Sequence, residues 1–324
     1  MYVLELAGQD DRFATAEAAT ATSDCEVVAP GLALTGAIDP DRVDGLAFTH
    51  RASELIGRAD ASIASAEAVL EGASLDRTGS VAVRARDVRS TAGVDTRGAE
   101  RALGDILVDR GFSIDLDAPD HELRALFADD VCALGWLVVE TERGYSARAP
   151  TDKPFFQPGS MDPLDARAVA NLAGAASGVT LFDPMCGTGG LLVEAGLRGA
   201  TVIGADAQPR MVAGARTNLE HYLDVAPALF LADAGRLPLG DRAVDAIVFD
   251  TPYGRQSKIA GRSAEDLVAA ALQEAHRVAD RGVVIGDRPL EAPATDAGWT
   301  VSAIYERPVH RSLTRYVHVL GQSV

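Results

Sequence analysis

From residue 179 onward, short apolar runs alternate with amphipathic segments, and this alternation limits the fold more than any other feature of the chain. Residues 179–182, 201–205, 228–231, 243–249, 282–286, 300–305 and 316–320 have the length and composition of strands, while residues 190–197, 209–222 and 264–279 carry helical spacing. Strands separated by helices pair in parallel, so the C-terminal half is expected to be α/β, a doubly wound and mostly parallel sheet. In such sheets ligands sit outside the carboxyl ends of the strands. The residues that close each strand are therefore the first place to look for chemistry.

The N-terminal half follows a different pattern. Residues 61–72 and 96–111 have helical spacing, and residues 80–86 alternate like a strand with one apolar and one partly basic face, which predicts α+β. Between the halves, Lys153-Pro-Phe-Phe-Gln-Pro-Gly-Ser-Met-Asp-Pro163 interleaves aromatics with turn formers and reads as an ordered linker, placing a boundary near residue 150.

The composition, 47% hydrophobic, provides for a buried core and excludes disordered, collagen-like and coiled-coil designs. No apolar run approaches the roughly 20 residues that span a bilayer. The longest, at 131–139, contains Gly135 and reads as a buried strand or short helix. The opening MYVLELAGQD lacks the features of a signal peptide, so a soluble cytoplasmic protein is expected. Cys25, Cys132 and Cys186 form no CxxC pair, and neither a metal site nor a disulfide framework is expected.

The net charge is −17, divided as −13 over residues 1–150 and −4 over 151–324, and two lysines stand against twenty-eight arginines. Such a surface suggests adaptation to high salt. At molar salt the Debye length is about 3 Å, so overall acidity does not exclude a nucleic-acid partner. Residues 77–101 carry six arginines against three acids, a local basic stretch in the most acidic half.

The first three strands are each closed by an acid, and so is the fourth. Asp183-Pro-Met-Cys-Gly-Thr-Gly-Gly190 follows the first strand of the α/β half, and its glycines allow a tight turn and close approach to a ligand. A dinucleotide site would need G-x-G-x-x-G and would be repelled by the opening acid; Asp183 suits a cationic ligand such as S-adenosylmethionine. Asp206 closes the second strand, where a carboxylate can accept ribose hydroxyls, and Asp233 after the third could meet an adenine amino group. Cys186, Gly187, Gly189, Ala207 and Ala234 complete the expected cofactor contacts. The fourth strand ends in Asp250-Thr-Pro-Tyr-Gly254. The Asp250 side chain and the Thr251 carbonyl could accept the two N–H groups of an exocyclic amine, with Pro252 fixing the turn and Tyr253 stacking on the base.

Asp183-Pro-Met-Cys-Gly-Thr-Gly with Asp250-Thr-Pro-Tyr-Gly resembles the class I methyltransferases of exocyclic amines, although Thr251 stands where that family's Asp/Asn-Pro-Pro-Tyr/Phe motif usually has proline. Pro154-Phe-Phe-Gln-Pro-Gly-Ser-Met-Asp-Pro163 and His310-Arg-Ser-Leu-Thr-Arg315 narrow the resemblance to the archaeal tRNA (guanine-N2) methyltransferases acting at position 10. Upstream, residues 80–86 and Ser113-Ile-Asp-Leu-Asp-Ala-Pro-Asp120 resemble a THUMP domain, the RNA-binding module of that family.

The resemblance implies a ferredoxin-like region at 1–50, a THUMP-like RNA-binding domain at 51–148, a linker at 149–165 and a Rossmann-like class I methyltransferase domain at 166–324. It implies S-adenosylmethionine as cofactor, tRNA as partner, a monomer, no metal, and transfer to guanine N2 with Asp250, Thr251, Pro252 and Tyr253 as the catalytic set. Phe156, or Phe155 beside it, would cover a ring of base or adenine. Arg84, Arg86, Arg89, Arg255 and Arg311, with His310, would contact RNA phosphate. Ribosomal RNA guanine or DNA adenine as substrate, a non-catalytic RNA-binding factor with a residual cofactor site, and a hydride-transferring dehydrogenase are the alternatives. The glycine pattern and Asp250-Thr-Pro-Tyr count against the last.

Overall fold

The computed structural model describes residues 1–224, 227–253 and 263–322. The chain divides between Glu142 and Arg143 into two units.

The first unit runs β1 (Tyr2–Leu6), α1 (Asp11–Ala18), β2 (Glu26–Ala29), β3 (Leu32–Thr35), α2 (Pro40–Val43), β4 (Thr49–Asp60), α3 (Ile63–Gly72), β5 (Ser80–Asp87), α4 (Thr96–Asp109), β6 (Ser113–Ile114), β7 (His121–Ala128) and β8 (Val131–Glu140). Its strands form one sheet in the order β2-β3-β1-β4-β8-β7-β5-β6. β4 passes through residue 50, so the sheet is continuous across the position where the sequence suggested a division. β5 runs parallel to both β6 and β7, with α4 as the crossover. Leu70, Leu103 and Leu107 of the two longer helices pack with Val83, Leu123 and Leu134 of the sheet. The 131–139 run is strand, and Val3, Leu32, Leu126 and Ala133 form a second cluster. Buried Glu17 on α1 accepts from the Ala47 and Phe48 N–H groups at 2.7 Å each, satisfying the turn that feeds β4.

The second unit holds α5 (Pro163–Leu172), β9 (Thr180–Asp183), α6 (Gly190–Leu197), β10 (Thr201–Asp206), α7 (Pro209–Tyr222), β11 (Ala228–Leu231), β12 (Ala246–Asp250), α8 (Ala264–Val278), β13 (Arg281–Gly286), α9 (Glu291–Asp296), β14 (Trp299–His310) and β15 (Leu313–Gln322). The strand order is β11-β10-β9-β12-β13-β15-β14. The first five are parallel, and β15 lies antiparallel between β13 and β14. This is the expected doubly wound sheet, and its order reverses between β9 and β12. The last two strands run beyond their apolar runs, and Pro308 sits on the edge strand β14, where a missing N–H does no harm.

Local chemistry sets the helices. Asp162 accepts from the Leu164 N–H, and Pro163 occupies the first turn of α5. α8 starts on a Ser263 cap with Glu265 and Asp266 in its first turn and ends with His276 and Arg277, matching its dipole at both ends. Phe182, Ile247, Phe249 and Val284 of the sheet pack with Leu272 and Ala275 of α8, and Trp299 donates its indole N–H to the Leu272 carbonyl at 3.0 Å. Among the described residues no helix is long and apolar enough to cross a membrane.

The segment read as a linker is packed into this unit. Asn218 of α7 accepts from the Phe155 N–H at 2.9 Å and donates to the Phe155 and Thr188 carbonyls at 2.9 and 2.8 Å. A Cβ at Gly214, one turn earlier, would overlap the Phe155 ring. Asn218→Ala strands a buried N–H and two carbonyls, so urea unfolding should show a loss of about 2–4 kcal/mol. Gly214→Ala overfills the contact and should cost about 1–3 kcal/mol in the same measurement.

Candidate active site

Three neighbouring parallel strands end on a carboxylate: β9 on Asp183, β10 on Asp206 and β12 on Asp250. Their carboxyl ends open onto two cavities that share Met185, Asp206, Gln208 and Asp250 in their walls. The first, about 210 Å³, is lined by Gln157, Ser160, Asp183, Cys186, Gly187 and Thr188 besides the shared residues. The second, about 250 Å³, adds Pro184, Ala207, Asp233, Ala234, Pro252 and Leu267. One compartment is thus bordered by acids and backbone turns, the other by apolar side chains with Asp233 at its wall.

The turn after β9 is built by backbone bonds. Asp183 accepts from the Met185 N–H at 2.9 Å, and the Cys186 N–H donates to the Ala205 carbonyl at 2.9 Å. Gly187 and Gly189 have φ of +51° and +77°, values that side chains disfavour. Gly189 is the N-cap of α6, where a Cβ would collide with Leu219. It shapes the turn without lining either cavity. Asp206 accepts from the Gly187 N–H at 3.1 Å and the Gln208 N–H at 2.9 Å, which fixes its plane and leaves lone pairs facing the cavities.

The acids raise one another's cost. Burial pushes the Asp183 carboxyl well above its ordinary range, and the charges of Asp206 and Asp250 push it further. Asp206 is also raised by burial, against the pull of its backbone donors. Asp250 is pushed up to about 6 by burial, against the Arg315 charge and the Tyr253 hydrogen bond, with Asp287 adding repulsion. Such a pocket disfavours a phosphate and fits a ligand that brings positive charge. S-adenosylmethionine, with an ammonium, a sulfonium, ribose hydroxyls and an adenine ring, fits this set of groups, which offers the carboxylates of Asp183 and Asp206 and, in the second compartment, apolar walls with Asp233.

The Asp250 side chain is 23% exposed. The Tyr253 hydroxyl donates to its Oδ1, and Arg315 Nε lies 3.6 Å from its Oδ2. The buried Thr251 anchors the motif by donating its N–H to the Ile285 carbonyl of β13 at 2.9 Å. The structure therefore brings together Asp183, Cys186, Gly187, Asp206, Ala207, Asp233, Ala234, Asp250 and Pro252 around the cavities, with Thr251 and Tyr253 flanking Asp250.

Phe156 is not brought in. It is 42% exposed and lines neither cavity, whereas Phe155 is spent on α7. Sequence reasoning missed Gln157, Ser160, Asn218 and Arg315. The first two lay in a segment read as a linker, Asn218 stands alone on a helix with no local motif to mark it, and Arg315 closes the His310-Arg-Ser-Leu-Thr-Arg315 segment, which was read for its resemblance and for RNA contacts.

The arginines chosen as RNA contacts are partly occupied. Arg89 is largely covered and pairs with Asp11 through both terminal nitrogens. Arg86 lies 3.4 Å from buried Glu5, and Arg84 donates to the Leu116 carbonyl at 2.6 Å; both keep much of their side chains in solvent. His310 and Arg311 are exposed at the β14–β15 turn. Arg255 lies outside the described residues.

Residues 150–316 match the protein family described as the RMKL-like methyltransferase domain. A tRNA (guanine(10)-N2)-dimethyltransferase of Methanothermobacter thermautotrophicus is 38% identical over 283 residues, covering 85% of this chain and 83% of that protein. One of Methanocaldococcus jannaschii is 31% identical over 257 residues, covering 76% and 71%. Among solved structures, TrmN from Thermus thermophilus shares the fold, with a TM-score of 0.52 at 21% identity over 99% of both chains. On these likenesses the chain belongs to the family of the archaeal tRNA (guanine(10)-N2)-dimethyltransferases.

Proposed function

We propose that the protein transfers methyl groups from S-adenosylmethionine to the exocyclic N2 of guanine in tRNA, at position 10, acting as a monomer in the cytoplasm of a salt-adapted cell. The observation that carries this reading is Asp250, a carboxylate at the mouth of a cavity bordered by Asp183 and Asp206. Relatives at 38% and 31% identity named for this reaction support it. The first unit would hold the RNA in the manner of a THUMP domain, through the exposed parts of Arg84 and Arg86, and Arg311 of the second unit, with Arg255, would add phosphate contacts. Arg89, paired with Asp11, is a weaker candidate for phosphate.

S-adenosylmethionine supplies a methyl on a positively charged sulfur that leaves as a neutral thioether. The protein's contribution is alignment. Asp250 and the Thr251 carbonyl accept the two N–H groups of the amine, turning its lone pair to the methyl carbon. As the N–C bond forms, nitrogen becomes cationic and ionised Asp250 stabilises it, then takes the surplus proton and passes it to water. Pro252 fixes the turn that aims these acceptors. The base must leave its stack to reach them.

Incubation with labelled S-adenosylmethionine and an unmodified tRNA transcript in high salt, followed by nucleoside mass spectrometry, should give N2-methylated guanosine mapped to position 10. A methylated base elsewhere would discard the site, and no incorporation with cofactor bound would discard the reaction. Asp250→Ala should lower kcat about 10²–10⁴-fold with cofactor binding nearly intact. Because the ionised form is the acceptor, kcat should fall below pH of about 6. Asp250→Asn, an acceptor that does not titrate, should be slower at neutral pH and flat through that window.

A cation entering the acidic cavity lowers the raised carboxyl pKa values of Asp183 and Asp206. Cofactor binding should therefore release protons and tighten as pH rises. Calorimetry in buffers of different ionisation enthalpy checks this, and proton uptake would contradict it.

A further inference from the structure

Arg315 is 4% exposed on β15, and a guanidinium so deeply buried is tolerated only when its donors are placed. Nε donates to the Tyr253 hydroxyl at 2.8 Å, and Nη2 donates to the Gly159 carbonyl at 2.9 Å. The guanidinium carbon is 5.7 Å from the centre of the Tyr253 ring. Arginine has no acceptor, so the Tyr253 oxygen receives from it and the single hydroxyl proton is left for Asp250 Oδ1. Donors in series polarise one another. One side chain thus joins the Asp250 motif to the 157–161 segment that lines the first cavity.

Asp250 faces few compensating charges. Asp183 of β9 and Asp287 after β13 repel its ionised form, and Asp206 of β10 lines the same cavity. Among the described residues, Arg315 from β15 and the Tyr253 hydroxyl are the groups that favour it.

We infer that Arg315 is a positioning residue for methyl transfer: through Tyr253 it fixes Asp250 as a charged acceptor, and through Gly159 it keeps the cofactor cavity in register with that acceptor. The inference rests on the reading of Asp250 as the amine acceptor. Arg315 touches neither amine nor methyl, and acts by setting the charge and direction of the group that does.

The test compares full-length wild type, Arg315→Gln, Arg315→Lys and Tyr253→Phe, measuring kcat and the KM for S-adenosylmethionine from pH 5 to 9. In Arg315→Gln the acidic limb of kcat should move up by about one pH unit, so that activity falls about fivefold at pH 6 and about twofold at pH 7 and recovers most of its value at pH 9. Arg315→Lys keeps a charge without the forked geometry, so its limb should stay near that of wild type while the KM for the cofactor rises. Tyr253→Phe should raise the limb and leave that KM nearly unchanged; it carries the test if Arg315→Gln does not fold, since it cuts the relay and keeps the guanidinium. A loss in Arg315→Gln equal at every pH, or a Tyr253→Phe limb in the wild-type position, would overturn the inference. Failure of the underlying reading has a separate signature: Asp250→Asn would then keep the wild-type limb, or wild type would not methylate.

Discussion

The parallel sheet of the second unit ends three adjacent strands on carboxylates, and much else in that unit follows from accommodating them. Asp183, Asp206 and Asp250 border shared cavity walls, with Asp183 and Asp206 buried, where like charges and lost hydration both oppose ionisation. Backbone N–H groups from the turns after β9 and β10 meet part of the cost, at Met185, Gly187 and Gln208. A buried arginine meets another part at Asp250. What remains is a preformed deficit of positive charge, the form that selectivity for a sulfonium and an ammonium takes before any ligand arrives.

The α/β half was legible because its strands are short and buried and its helices amphipathic, so the two periods separate cleanly. The parallel, doubly wound character of its sheet followed from that alternation, and the acids at the strand ends could be numbered without coordinates. The antiparallel insertion of β15 between β13 and β14 was not legible, because hydrophobic spacing reports burial and leaves pairing open. In the first unit the sequence marked β5, α3 and α4. It left unmarked the continuous sheet through β4, whose residues mix Arg51, Glu54 and Arg58 with apolar neighbours and so show no clear alternation.

Within the site, what could be read lay next to strand ends, and what could not lay far along the chain. Gln157 and Ser160 sat in a segment whose prolines and glycine suggested a connector. That segment is drawn onto α7 by one asparagine that satisfies three backbone groups, an arrangement visible only when residues sixty positions apart meet. The same asparagine bonds the Thr188 carbonyl in the turn before α6, so a single amide holds two walls of the first cavity at a fixed separation. The width of the compartment is thus set by α7, whose own side chains touch little of it.

β15 follows the glycine turn and the Asp250 motif in the chain, yet it is an interior strand of the sheet. The strands that carry the acidic turns, β9 to β13, thus precede in the chain the strand that brings Asp250 its guanidinium. Only when β15 inserts beside β13 does Arg315 reach Tyr253 and Gly159. Closure of the sheet and the placing of the guanidinium beside Asp250 are therefore one event, the step that also covers the edge of β13.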